Sequence, residues 1–271
     1  MMNFKKIYFG LTVILMTGCS VAVEDVSVPE TTSSSVNSEI PALPDGAYLL
    51  SGVTVTENGQ ISELKRKQIK IYSNGRFMYA FNNAQTNSID VGAGDATWSN
   101  GIMIEVPRVN HDGPVSGYSF DVDINQTTDG FEQTIIGMKY EDGRILDMVE
   151  EWNIASKAVS KYDGLWKLKS RSPSLSDTSE PIIYNETKMI GGGHFIWLNN
   201  VSFQNEESKN FGFGTFNIDE KGNAVETAMV SSMTDYEGSI NNIKIELIDA
   251  NSLQQTHIEG GLSITQVYER M

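Results

Sequence analysis

Basic residues, cysteine and helical periodicity are all scarce in this sequence, and each scarcity excludes something. Its 20 Lys and Arg stand against 35 Asp and Glu, a formal net charge of -15. A surface this acidic repels the phosphates of nucleic acid and disfavours adhesion to an anionic membrane by charge alone. The one cysteine, Cys19, permits no intramolecular disulfide and no cysteine-based metal cluster. Histidine occurs three times, at His111, His194 and His257, and no two of these have the spacing of a metal-ligand pair. His111 falls in a loop, Asn110-His111-Asp112-Gly113, where solvation is the expectation. No stretch repeats apolar residues at a helical period over a useful length. Gly92-Ala93-Gly94 and Gly212-Phe213-Gly214 open no helix and so cradle no phosphate. A Gly-x-Ser-x-Gly nucleophile elbow is missing. The adjacent Glu150 and Glu151 point to opposite faces of a strand and cannot share acid–base work. No catalytic residue, metal or cofactor is therefore expected.

What the chain does have is one β unit written twice. Lys70 to Asn82 (KIYSNGRFMYAFN) is echoed 118 positions later by Lys188 to Asn200 (KMIGGGHFIWLNN). Lys70 matches Lys188, Gly75 matches Gly193, Phe77 matches Phe195, Tyr79 matches Trp197 and Asn82 matches Asn200. Gly164 lies 118 after Gly46, and Phe131 to Ile136 matches Leu253 to Ile258. Each copy reads as eight strands joined by short turns. Asn58-Gly59, Asn74-Gly75 and the glycines 191–193 are hairpin signals, because their turn type needs positive φ. Gly92-Ala93-Gly94 precedes one strand, and Pro107 is expected to end the next. Tyr118 to Ile124 alternates with period two, placing Phe120, Val122 and Ile124 inward and Asp121 and Asp123 outward. Eight sequential antiparallel strands bury one face most simply by closing into an up-and-down barrel. Phe77 to Phe81 and Phe195 to Leu198 are apolar on both faces, although a strand with a wet outside should alternate. The expectation is that these strands meet where the two repeats pack on each other; a covering loop or N-terminal segment is the alternative.

At the N-terminus, Lys5 and Lys6 precede the apolar run Ile7 to Met16, too short to span a bilayer and typical of a secretory signal. Leu15-Met16-Thr17-Gly18-Cys19 resembles the lipobox of bacterial lipoproteins, with Met16 where Leu is commoner. That resemblance implies lipidation of Cys19, anchorage to a membrane through acyl chains and, with Ser20 following, the outer membrane of the bacterial cell envelope. The next segment, rich in Ser, Thr, Val, Glu and Pro, reads as a disordered tether. The expected organisation is a signal peptide over 1–18, a tether over 19–43, a first barrel over 44–156 and a second over 157–271.

Gly164-Leu165-Trp166 resembles the Gly-x-Trp signature of the lipocalins, in which the Trp closes the barrel base against a late Arg. Arg270 is the matching candidate. Gly193-His194-Phe195-Ile196-Trp197, the strand Gly212 to Phe216 and Val267-Tyr268-Glu269-Arg270 resemble the lipocalin-like domains of uncharacterised bacterial secreted and membrane-attached proteins. The first copy departs from the pattern, with Tyr48 in place of the Trp and Asn153-Ile154 in place of Glu269-Arg270.

The resemblance implies an all-β chain of two tandem eight-stranded antiparallel barrels, able to bind a small apolar molecule without catalysis. Tyr79, Trp98, Trp152, Trp197, Phe216 and Tyr268 are candidates to line such cavities, with His194 and His257 orienting the ligand. The same aromatics can instead simply fill the cores, which would make the chain a structural or protein-interaction module with no ligand. A third reading is an enzyme, as barrels of this superfamily occasionally are.

Overall fold

In the computed structural model, residues 43, 45–83, 88–99, 102–139, 143–172, 183–203 and 206–271 are described. The expected signal peptide, Cys19 and nearly all of the expected tether fall outside them, as do Asn100, Gly101 and Asp142. No helix occurs among the described residues, and hence none long and apolar enough to cross a membrane.

The first copy folds into β1 (Gly46–Glu57), β2 (Gln60–Leu64), β3 (Gln68–Ser73), β4 (Arg76–Asn83), β5 (Ser88–Ser99), β6 (Ile102–Asn110), β7 (Gly113–Pro114), β8 (Phe120–Gln126), β9 (Gly130–Lys139) and β10 (Ile145–Ser156). Eight of these close a barrel in the order β1-β3-β4-β5-β6-β8-β9-β10, with β10 returning to β1. The two extra strands are short. β1 pairs with β3 through residues 46–49 and then runs on to pair with β2, while β7 pairs only with the end of β6. The second copy has β11 (Gly164–Ser172), β12 (Ile183–Gly191), β13 (His194–Phe203), β14 (Glu206–Ile218), β15 (Asn223–Ser231), β16 (Ile240–Asp249), β17 (Ser252–Glu259) and β18 (Leu262–Arg270), closed in simple sequential order. The hairpin signals act as turns. Asn74 and Gly75 take φ of 52° and 72°, Gly192 and Gly193 take 58° and 61°, and each pair links its strands in two residues.

Two features depart from the sequence reading. Gly92 and Gly94 lie inside β5 rather than before it; in the second copy Gly212 and Gly214, within the expected strand, lie inside the longer β14. A Cβ on Gly92 would stand 2.7 Å from the ring of Tyr79, and one on Gly212 would stand 2.7 Å from the ring of Trp197. These glycines let an aromatic side chain lie flat across the neighbouring strand. Nor does Pro107 end its strand. β6 continues through Pro107 to Asn110, with Pro107 facing Gly94 at a register shift, the kind of irregularity at which a strand accommodates proline.

Alternation then divides each barrel's residues. In β4, Phe77 and Tyr79 turn into the first barrel with Tyr48, Phe131 and Trp152, while Met78 and Ala80 turn out. In β13, Phe195 and Trp197 turn in with Trp166 and Tyr268, while Ile196 and Leu198 turn out. The outward residues of both copies form one apolar cluster. Ile69, Ile71, Met78, Ala80, Val91 and Ala93 of the first copy pack with Leu165, Met189, Ile196, Leu198, Phe211 and Phe213 of the second. The same strands of each copy supply this contact, the self-complementary pattern of a twofold dimer.

Candidate functional site

Each barrel carries a buried lysine at its waist. Lys188 on β12 lies 2.5 Å from Glu226 of β15 and 2.8 Å from Gln255 of β17. Lys70 on β3 lies 2.6 Å from Glu105 of β6 and 3.0 Å from Gln133 of β9. These strands are not neighbours, so the contacts cross the lumen like spokes. Burying an ammonium is tolerable only with such partners. Around the first bar, Tyr72 donates to Glu105 at 2.5 Å and Arg66 pairs with Glu150. Burial holds the Glu150 carboxyl above its usual range despite the nearby Arg66 and Lys70 cations. Around the second, Gln255 donates to Gln266 at 3.2 Å.

Below the bar, the second barrel is shut by Trp166. Arg270 lies over its ring at 4.1 Å and donates to the Asp163 carbonyl at 2.8 Å. Gly164 leaves the space for that guanidinium, since a Cβ there would stand 2.2 Å from it. In the first barrel Tyr48 occupies the corresponding place, fully buried, and Ile154 and Leu43 pack where the cation would be.

Above the bar lies the mouth of the second barrel, which is polar. Tyr184 and Tyr268 both donate to Glu186, at 2.7 and 2.6 Å, and Asn199 donates to Tyr184 at 3.1 Å. Burial, with Glu186 close by, pushes both phenols far above their ordinary range. Arg171 reaches over the Tyr184 ring. Trp197 donates to Tyr236 at 3.3 Å, the rings meeting edge to face 5.3 Å apart. Residues 232–236 line an open surface depression at this end, and of the mouth residues only Tyr236 is among its lining. His257 follows Gln255 on the inward row of β17. Its Nε2 lies 3.5 Å from Glu259, and among the described residues its buried Nδ1 has no hydrogen-bond partner. Burial lowers its pKa, favouring the neutral ring.

The candidate ligand residues therefore separate. Trp197 and His257 belong to the mouth, and Tyr268 reaches it through its hydroxyl. Trp152 is buried in the first core, stacked 6.1 Å from Phe131. Tyr79 is half-buried in the first barrel and donates to Asp90 at 3.1 Å; Trp98 is half-buried nearby. His194 and Phe216 line a different cleft, between the linker and β14. His111 is half-buried rather than solvated, its Nδ1 accepting from the Val91 amide at 3.4 Å. Among the described residues no group of three or more His, Cys, Asp and Glu could hold a metal ion. The interior lysines, glutamates and glutamines were the residues missed. Their signal was that Lys70/Lys188 and Gln133/Gln255 match between copies, charge and amide kept on faces that are otherwise apolar.

No family model matches the chain, and no curated protein does. Among solved structures, one similar chain is a protein of unknown function from the DUF3598 family of Nostoc punctiforme, at 11% identity, covering 83% of this chain and 96% of that one with a TM-score of 0.25.

Proposed function

We propose that this chain is a lipoprotein of the bacterial cell envelope, anchored to the outer membrane through Cys19, that binds a small molecule without transforming it. The ligand sits in the mouth of the second barrel, above the Lys188 bar. The bar crosses the lumen, which limits the ligand to a compact molecule with an apolar body and a polar head. The reading rests on one observation, the buried and unpartnered Nδ1 of His257. With Nε2–H directed at Glu259, the neutral ring presents Nδ1 as an acceptor. Buried acceptors are ordinarily satisfied, and a ligand O–H or N–H would satisfy this one. Trp197 and Tyr236 offer the aromatic wall for the ligand's body.

A filled interaction module is the second reading, favoured by the hydrogen-bonded bars that span both lumens. Titration with a fluorescent anilinonaphthalene dye separates the two. Saturable uptake at one site, weakened by His257→Phe, supports the mouth site; no uptake supports the filled module.

A further inference from the structure

We infer that the cleft between the linker and β14, at the closed end of the second barrel, is a separate binding site for a small alkylammonium. It encloses about 380 Å³, within the range of roughly 300–1,000 Å³ typical of small-molecule sites. Its polar lining is Ser156, Ser160, Asp163, His194, Thr215 and Asn217; Asp163 is the one charged side chain among them, and no lysine or arginine lines the cleft.

His194 sets the polarity. It is 7% exposed, and its Nδ1 lies 2.7 Å from the Gly192 carbonyl. A carbonyl can only accept, so Nδ1 carries the proton and Nε2 is left as an acceptor. Burial lowers the pKa of this ring, which keeps it neutral. Among the described residues Nε2 has no hydrogen-bond partner. Asp163 adds a buried carboxylate, already accepting from the Ser160 amide at 3.0 Å and hydroxyl at 2.5 Å. Among the described residues its carboxylate forms no ion pair; Arg270 donates to its backbone carbonyl and acts on the carboxylate only through space. A primary ammonium brings three donors and the positive charge that these acceptors lack. Ala158, Val159 and Ile218 supply the apolar wall for a short alkyl chain. Val159, 86% exposed, stands at the rim.

The test titrates n-butylammonium, and separately butyrate, into the full-length protein in detergent micelles at pH 7, following the histidine ring nitrogens by NMR. The expected result is a saturable shift of His194 Nε2 with butylammonium and none with butyrate. Val159→Trp fills the rim from a solvent-exposed position that the fold does not need, and should weaken binding at least about tenfold. No shift at His194, equal shifts with both compounds, or unchanged affinity in Val159→Trp would each overturn the assignment.

Discussion

Lys188 Nζ stands 2.5 Å from Glu226 Oε1, with both side chains at most 3% exposed. Its counterpart in the first copy is Lys70 with Glu105, at 2.6 Å. A buried pair is a liability once broken, because the survivor keeps its desolvation cost. Lys188→Met should therefore destabilise the protein by about 3–5 kcal/mol, and the double variant Lys188→Met/Glu226→Leu should recover most of that loss. Urea unfolding measures both. A single variant within about 1 kcal/mol of the parent would show that the bar carries no such constraint.

Phe211 and Phe213 join the two barrels through one apolar cluster with Met78 and Ala80. Phe211→Ala should cost about 3–5 kcal/mol, the usual range for a buried aromatic. With the cluster intact the barrels should melt in one calorimetric transition; with it weakened, two should separate. A single unchanged transition in the variant would mean that the interface contributes little.

Gly212 underlies the indole of Trp197. Gly212→Ala puts a methyl 2.7 Å from that ring, displacing it and its bond to Tyr236. The expected cost is about 1–3 kcal/mol, with a red shift in tryptophan emission as the indole meets water. Gly92→Ala should do the same to Tyr79.

His194 and His257 both titrate below the ordinary histidine range because of burial. The unfolded chain binds protons first as pH falls past about 6.5. Their contribution is therefore fully present above that pH and is lost as the pH falls toward their lowered folded values. Asp90, Glu150 and Asp163, raised mainly by burial, act in the opposite sense: the folded state binds their protons first, so they favour folding as pH falls toward about 4. The histidine part can be isolated by difference. His257→Gln should flatten the decline between pH 7 and pH 5 relative to the parent, whereas parallel curves would contradict the assignment.

How much of this was legible in the sequence differs by residue. The Asn-Gly and Gly-Gly turns announced themselves, because few residues tolerate positive φ. The double-sided apolarity of Phe195 to Leu198 signalled a second covered face, since a pleated strand cannot hide both sides in one core. Pro107 misled because the rule that ends strands at proline assumes a regular ladder, and here the ladder shifts register opposite Gly94. The mouth was read only in part. His257 was visible as a candidate to orient a ligand, but whether its Nδ1 has a partner depends on side chains that strand alternation does not locate. The crossing bars were hidden for the same reason: Lys188, Glu226 and Gln255 sit on strands that are not adjacent, and only closure of the barrel brings them together.

The central claim is that the mouth of the second barrel holds a small molecule against His257. Native mass spectrometry of the protein purified from its own cell without detergent tests it most directly. The account predicts one extra small mass per chain, released on denaturation and absent from His257→Phe. A bare polypeptide mass in the parent protein, together with no uptake of the anilinonaphthalene dye, would contradict it and leave the filled interaction module standing.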